Sequence, residues 1–365
     1  MIYYYMRKIA ALALCLTVAV ASVMTITGCE TTTGNFGTEN TSNPTDLTNA
    51  DRPYQMPETP YFDIIYQTTG NRYTVSENKE IDFSYDYGKY KSAFLFEKDM
   101  VSNDTANGYP TYGIFVSSQK TAVAYIAKDK QSIQIKYSDD MGNTWNNSEP
   151  ILPSHDYYVF PHPDITEFPN YIVDFEGVVD LFIDFPTPDC GYILICGGTS
   201  MSTQNTRDMF KTTDGGKTWN YIKSNIEDGG PPIQSMYFAN SNTGYLGSFC
   251  GAAASSYIQR TADGGITWTD ITFTDTDDNG SMLNIPGKHA YGCPLPQMPY
   301  FIDNKGYLPV ITQAYPIDLS MVIFFTSDDN GITWVYNPAW DTPLSDYSQP
   351  VALPGCSKPP IIGNN

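Results

Sequence analysis

Short apolar runs separated by turn residues dominate this chain from about residue 110 onward. Three stretches, residues 181–195, 237–248 and 300–310, share one order: apolar or aromatic residues, a turn, then Gly-Tyr and a second apolar run. A looser version occupies residues 114–127. Runs of this length between turn residues are typical of β-strands joined by tight turns, so the pattern predicts an all-β protein.

A second motif, Ser/Thr-x-Asp-x-Gly-x-Thr-Trp, follows these hairpins at residues 138–145, 212–219, 261–268 and 327–334. An Asp side chain accepts backbone N–H bonds from the turn that it starts, and Gly accepts the positive φ of a tight turn. Thr and Trp then suit the first positions of a half-buried strand. The motif therefore predicts a structural turn between two strands. Its structural positions are Ser138, Asp140, Gly142, Trp145, Thr212, Asp214, Gly216, Trp219, Thr261, Asp263, Gly265, Trp268, Ser327, Asp329, Gly331 and Trp334.

Hairpin and turn together form a unit of about 50 residues, the size of one four-stranded propeller blade. The turns resemble Asp boxes, or BNR repeats, of sialidases, sortilin-type receptors, photosystem assembly factors and some endoglucanases. The resemblance covers about residues 110–340 and implies a β-propeller whose boxes lie on the outer rim. Six blades are favoured, with five or seven left open. Residues 84–91 keep Ser84, Asp86 and Gly88 but have Tyr90 and Lys91 for Thr-Trp, so whether they are a decayed fifth box stays open.

The amino terminus has the pattern of a secretory signal. Arg7 and Lys8 precede an apolar run over residues 9–26, and Ile-Thr-Gly-Cys follows at residues 26–29. These four residues resemble a bacterial lipobox, which implies cleavage before Cys29, acylation of that cysteine and an extracytoplasmic, membrane-anchored lipoprotein. We therefore expect a signal peptide over residues 1–28, a flexible Thr/Asn-rich tether over 29–53 and a propeller domain over 54–365.

Charge and cysteine spacing exclude several kinds of ligand. Cut before Cys29, the chain keeps 18 basic and 40 acidic residues, a net charge of −22 that repels phosphate backbones, so we expect no nucleic-acid partner. No spacing matches a zinc site and no cofactor motif occurs, so neither a metal nor a cofactor is expected. The pairing of the five remaining cysteines stays open; they are Cys190, Cys196, Cys250, Cys293 and Cys356.

Sialidase activity is disfavoured by the arginines. Sialidases hold the substrate carboxylate with three arginines, a planar bidentate grip that Lys makes poorly. After Cys29 this chain has only Arg52, Arg72, Arg207 and Arg260, and the first lies in the predicted tether. No Phe/Tyr-Arg-Ile-Pro run occurs. Catalytic residues are therefore unknown, and enzymatic activity is uncertain and disfavoured.

Two segments between blades are longer than the repeat requires, and long loops on a rigid scaffold often carry function. They include residues 155–177 and 282–300 and hold all three histidines. The candidate ligand-binding residues are His162, Asp164, Glu167, Tyr171, Glu176, His289 and Tyr291. We expect a monomeric, non-catalytic module that binds a glycan or a protein there. A cell-surface glycoside hydrolase and an assembly factor or docking scaffold are the alternatives.

Overall fold

The computed structural model describes residues 64–76, 80–96, 100, 111–154, 175, 177–200, 203–226, 230, 232–248, 258–274, 295–314, 319–344, 351 and 353–356. These residues form an all-β protein with one short α-helix, α1, at Ile64–Thr69. Within these ranges, no helix has the length and hydropathy that crossing a bilayer requires. Cys29 and the predicted signal and tether lie outside the described residues.

The strands form five sheets, which are the blades of a β-propeller. Blade 1 contains β1 Arg72–Val75, β2 Glu80–Tyr85 and β3 Tyr90–Leu95. Blade 2 contains β4 Tyr112–Val116, β5 Thr121–Ile126, β6 Ile133–Ser138 and β7 Asn146–Asn147. Blade 3 contains β8 Val178–Asp184, β9 Gly191–Ser200, β10 Thr203–Thr212 and β11 Asn220–Ile222. Blade 4 contains β12 Ile233–Phe238, β13 Gly244–Ser248, β14 Ile258–Thr261 and β15 Thr269–Asp270.

Blade 5 is the largest sheet. Its strands are β16 Thr272–Thr274, β17 Leu295–Pro296, β18 Tyr300–Ile302, β19 Lys305–Ala314, β20 Leu319–Ser327, β21 Thr333–Tyr336 and β22 Thr342–Leu344. The strand β16, which follows blade 4, pairs in parallel with the edge strand β21. The strand β22 returns to pair with β20. The chain after Trp340 thus extends blade 5, which is why the ring has five blades, one of the counts left open, and not the favoured six.

Blades 2, 3 and 4 are each buried on both faces. Along β9, Ile193 and Ile195 pack toward blade 2, whereas Tyr192 and Leu194 pack toward blade 4. Successive side chains of a strand point to opposite faces, so a strand covered on both sides is apolar throughout. This explains the continuous apolar runs in the sequence, and it places an apolar layer between each pair of blades that follow one another along the chain.

The order that the repeats share has a packing reason at two blade junctions, between blades 3 and 4 and between blades 4 and 5. The ring of Phe238 lies on Gly244, where an added Cβ would be 2.6 Å from two ring carbons. The same ring stacks on Tyr192 of the preceding blade, with 3.6 Å between centroids, and meets Trp268 edge-on at 5.9 Å. Only glycine leaves room for this arrangement. The next junction repeats it with Phe301, Gly306, Tyr245 and Trp334.

The helix α1 joins the two ends of the ring. The side-chain amide of Gln67 donates to the carbonyl of Val351 at 3.0 Å, and its oxygen accepts the N–H of Leu353 at 3.2 Å. Val351 and Leu353 are buried against blade 5. Directly after α1, the carbonyl of Gly70 accepts the N–H of Tyr87 in blade 1 at 2.8 Å. The amino-terminal helix therefore connects the carboxy-terminal segment on blade 5 to blade 1.

Candidate functional site

The propeller has two faces with different loops. Because neighbouring strands of a blade are antiparallel, the turns after its first and third strands lie at one end, and the hairpin after its second strand lies at the other. We call the first end the turn face, since it carries the four repeated turns. The second end is called the loop face, since the segments that link one blade to the next also start there.

The four repeated turns share one hydrogen-bond network. In the turn of blade 3, the Thr212 hydroxyl donates to Asp214 Oδ1 at 2.8 Å and accepts the Gly216 N–H at 2.9 Å. Asp214 Oδ1 also accepts the Thr218 N–H at 3.0 Å, and its Oδ2 accepts the Thr218 hydroxyl at 2.6 Å. The equivalent bonds form around Asp140, Asp263 and Asp329.

These bonds set the ionisation of the turn carboxylates. Burial alone would raise the pKa of Asp214, but the hydroxyl and N–H of Thr218 outweigh it and lower the pKa to about 2. The same balance lowers the pKa of Asp329 to about 2. Both oxygens of each carboxylate accept hydrogen bonds within their own turn, so the turns stabilise their local structure without a ligand.

The four tryptophans differ in burial. Trp268 and Trp334 are buried, and each indole N–H donates to the carbonyl of the glycine three residues earlier, at 3.1 and 3.2 Å. Trp145 and Trp219 are half-buried. Trp145 lies beside Phe94 of blade 1, with 4.8 Å between ring centroids. The tryptophans therefore contribute to the layers between blades.

Both long segments start from and return to the loop face. Ile151 forms an antiparallel β-bridge with Ile133 at the loop-face end of β6. The N–H of Phe175 donates to the backbone carbonyl of Lys130, in the β5–β6 hairpin, at 2.9 Å. The strand β16 runs parallel to β21 toward the loop face, and Leu295 pairs with Ile311 in the loop-face half of β19. The candidate residues themselves lie outside the described part of the chain; these are His162, Asp164, Glu167, Tyr171, Glu176, His289 and Tyr291.

Blade 3 carries charged side chains near the loop face. Asp180 and Arg207 are both paired with Cys196, so they lie on the side of the blade that faces blade 4. Asp208 is paired with Ile195 and therefore lies on the opposite side, facing blade 2. Arg207 and Asp208 are buried. The carboxylates of Asp180 and Asp208 thus point away from each other and do not form a catalytic pair.

The described arginines belong to three different blades. Arg260 immediately precedes Thr261 at the turn face of blade 4. The three strands of blade 1 correspond to the second to fourth strands of the other blades, because Tyr85 at the end of β2 contacts Thr121 at the turn-face end of β5. Arg72, which begins β1, therefore also lies at the turn face. Arg207 is five residues before the turn of blade 3, roughly 17 Å along an extended strand. It packs against Gly230, where a Cβ would be 2.7 Å from a guanidinium nitrogen. These three side chains do not converge on one carboxylate-binding site.

One buried carboxyl group was not anticipated from the sequence. Asp184, at the end of β8, accepts the N–H of Phe185 at 3.0 Å and the N–H of Phe238 in blade 4 at 2.5 Å. Burial raises the pKa of Asp184 to about 7, although both N–H donors act to lower it. Its position after the apolar run Leu-Phe-Ile was the only sequence signal. In the part of the chain that the structure describes, no group of three metal-ligating side chains is present.

Comparisons with known proteins give no family assignment. No protein-family model and no curated protein matches the chain. Among solved structures, a GH74 xyloglucanase from Xanthomonas campestris aligns over 73% of this chain and 35% of its own, with 13% identity and a TM-score of 0.39. An α-L-arabinofuranosidase from Fusarium graminearum aligns over 64% of this chain and 67% of its own, with 12% identity and a TM-score of 0.39.

An endo-arabinase from Bacteroides thetaiotaomicron is similar over 67% of this chain and 84% of its own, with 11% identity and a TM-score of 0.37. The chain thus spans about a third of the xyloglucanase and most of the endo-arabinase. At these identities and TM-scores, nothing about the ligand or activity of this chain follows from the three proteins.

Proposed function

We propose that this protein is a membrane-anchored, extracytoplasmic lipoprotein whose Asp-box propeller binds a glycan or a protein at its loop face, without catalysing a reaction. The observation that carries the proposal is the return of both long segments to this face. Ile151 and Phe175 border the first segment, and β16 and Leu295 border the second. A rigid scaffold that presents two extended loops on one side is a common design for a binding surface.

A non-catalytic role is supported by the chemistry near this face. Asp180 and Asp208 lie on opposite sides of blade 3, so these two carboxylates are not arranged as acid and nucleophile. The three arginines are distributed over blades 1, 3 and 4. The turn carboxylates are satisfied within their own turns at the other face. A glycan or protein is therefore proposed to be held and released unchanged.

The binding experiment applies the labelled full-length protein, purified in detergent, to an array of glycans and reads retained protein and released sugar together. Retention without sugar release is expected. The variants Tyr171→Ala and Tyr291→Ala should weaken retention about tenfold each if these side chains stack on the ligand. Tyr221→Ser, at a partly exposed tyrosine on blade 3, is the matched control and should bind normally.

The outcomes separate the proposed function from its alternatives. Released sugar would replace binding by glycoside hydrolysis. In another outcome, the array shows neither retained protein nor released sugar, while another protein copurifies with the wild type and is lost in the loop variants. That result would support the protein-binding form of the proposal. If a protein copurifies equally with the wild type and the loop variants, the docking surface lies elsewhere. That result would refute the assignment of the binding site to the loop face.

The anchor needs a separate experiment, since it rests on residues 26–29 of the sequence. Cells that express the protein are fed a radiolabelled fatty acid, and the purified chain is counted. The wild type should carry label and remain with the membrane fraction. Cys29→Ser should lose the label. Equal labelling of both proteins would show that Cys29 is not the acylated residue.

A further inference from the structure

Residues 84–91 occupy the same place in blade 1 as the repeated turns do in blades 3 and 4. The N–H of Gly215 donates to the backbone carbonyl of Asp189 at 2.9 Å, and the N–H of Gly264 donates to the backbone carbonyl of Asn242 at 2.9 Å. In both blades the donor is the residue after the turn Asp. The acceptor lies two residues before the second strand of the blade, β9 in blade 3 and β13 in blade 4. Tyr87, which follows Asp86, makes the corresponding bond to Gly70. A fifth turn is therefore present at residues 84–91.

The fifth turn also lies on the turn face. The Tyr85 hydroxyl is 2.9 Å from the Thr121 hydroxyl, at the turn-face end of β5. A Cβ added to Gly142, in the repeated turn of blade 2, would be 3.3 Å from the same Tyr85 hydroxyl. The fifth turn is thus next to the turn of blade 2 and on the side of the molecule opposite the long loops.

Past the buried Tyr85, the fifth turn exposes the side chains at the positions where the other four turns have Asp, Thr and Trp. Asp86 is 3.5 Å from the ammonium of Lys89, and the two side chains are 56% and 63% exposed. Tyr90 and Lys91 stand where the other turns have Thr and Trp, and both are exposed. Tyr87 and Tyr90 are 52% and 45% exposed. Two aromatic rings therefore lie at the surface beside two lysines.

Of the five turns, the fifth alone has a net positive charge. Residues 84–91 hold two lysines and one aspartate, a net charge of +1. The repeated turns of blades 2 and 5 each have a net charge of −2, that of blade 4 has −1, and that of blade 3 is neutral. At physiological ionic strength a surface field decays over about 8 Å. In the adjacent turn of blade 2, Lys120 pairs with Asp139 and offsets one of the two negative charges. The two lysines of the fifth turn therefore attract a single carboxylate at short range, whereas a long polyanion also meets the acidic turns of blades 4 and 5.

We propose that the fifth turn is a second binding site, for a short saccharide that carries one carboxylate. One face of the Tyr87 ring packs on Gly70, and its hydroxyl donates to the Gln67 carbonyl at 3.4 Å. The ammonium of Lys89 lies 5.1 Å from the centroid of the Tyr90 ring. The exposed parts of the two rings offer flat apolar surfaces for the C–H faces of pyranose rings. Lys89 and Lys91 supply ammonium groups for the carboxylate. The two rings are 52% and 45% exposed, which suits stacking on sugar rings better than enclosure of a peptide side chain. This site is independent of the proposed function at the loop face.

The test measures binding of two trisaccharides to the full-length protein by ligand-observed NMR. One carries a terminal glucuronate, and the other has glucose at that position. The wild type should prefer the acidic trisaccharide by about tenfold. Lys89→Gln should abolish this preference, and Tyr90→Ser should weaken both ligands by about tenfold. Lys217→Gln and Tyr221→Ser, at an exposed lysine and a partly exposed tyrosine of blade 3, are the matched controls and should bind as the wild type does.

Several results would overturn the proposal. The first is that the wild type binds the two trisaccharides equally or binds neither. The second is that the blade 3 controls lose as much affinity as the variants of the fifth turn. The third is that a pentapeptide with a single glutamate binds as tightly as the acidic trisaccharide. If Tyr90→Ser lowers the melting temperature, Lys89→Gln, at an exposed side chain, still decides the charge preference. The loop-face variants Tyr171→Ala and Tyr291→Ala should leave this binding unchanged, so failure here and failure of the proposed function are distinguishable.

Discussion

The buried carboxyl group of Asp184 should make the stability of the propeller fall as the pH rises from about 4 to 7. Asp184 bridges the inner strands of blades 3 and 4, because its oxygens accept the N–H groups of Phe185 and Phe238. Burial raises its pKa from 3.8 to about 7. The groups that face it, Tyr192 and Tyr237, have pKa values raised further above their ordinary range by their own burial and therefore stay neutral.

The sign and magnitude follow from linkage. Below pH 3.8 the carboxyl group is protonated in both states, and its stabilising contribution is fully present. Between pH 3.8 and 7 the unfolded chain loses this proton and the folded chain keeps it, so stability declines. A rise of about three pKa units corresponds to about 4 kcal/mol, at a slope of up to about 1.4 kcal/mol per pH unit.

The substitution Asp184→Asn isolates this contribution. Asparagine cannot ionise, and its carbonyl still accepts one of the two N–H groups. Its NH2 group faces the other N–H, which costs about 1–3 kcal/mol at every pH because one buried donor is left without an acceptor. The wild type should therefore be the more stable protein at pH 4, and the variant should be more stable or equal at pH 8.

The assay is denaturant unfolding of both proteins at pH 4, 5, 6, 7 and 8, with the difference in free energy of unfolding plotted against pH. Taking the difference removes the contribution of the three histidines, which both proteins share. Asp214 and Asp329, whose pKa values are about 2, lose their contribution only as the pH falls below about 4. Parallel profiles for wild type and variant would refute the reasoning.

Three further substitutions test the packing of the ring, each read as a change in the free energy of unfolding. Gly244→Ala places a Cβ 2.6 Å from the ring of Phe238 and should cost about 1–3 kcal/mol, so an unchanged stability would contradict the close packing. Trp334→Ala removes a fully buried ring and should cost about 3–5 kcal/mol, clearly more than Trp145→Ala at the half-buried position. Gln67→Ala leaves the buried Leu353 N–H without its acceptor and should cost about 1–3 kcal/mol; Gln119→Ala, at an exposed turn residue, is its control and should change nothing.

Local features of this fold could be predicted from sequence because their causes lie within a few residues. The Asp214 network spans seven residues, and each bond joins groups that the motif already names. The all-β class follows from strand-length apolar runs for the same reason. The glycine of Gly-Tyr is partly local as well, since Gly244 packs under Phe238, six residues earlier.

Features that depend on distant parts of the chain could not be predicted. The blade count depended on the chain after Trp340, whose pairing with β20 in the same blade has no counterpart in the repeat. The bond between Asp184 and Phe238 joins residues 54 apart, and that between Gln67 and Val351 joins residues 284 apart. The candidate site was found from loop length alone, a signal that marks a place on the surface without specifying its chemistry.

The closure of the ring differs from every other junction. Blades 1 to 5 follow one another along the chain, so each internal interface is supported by a covalent link as well as by an apolar layer. The last junction joins residues near the two ends of the chain and depends on non-covalent contacts, among them the Gln67 amide with the backbone of Val351 and Leu353. When two consecutive blades separate, the short chain segment between them keeps them close, so the entropy cost of bringing them together again is small. When α1 separates from the carboxy-terminal segment, almost the whole domain lies between them in the chain, so the entropy cost of closing the ring is larger. The ring should therefore open first between blade 5 and blade 1, beside the fifth turn.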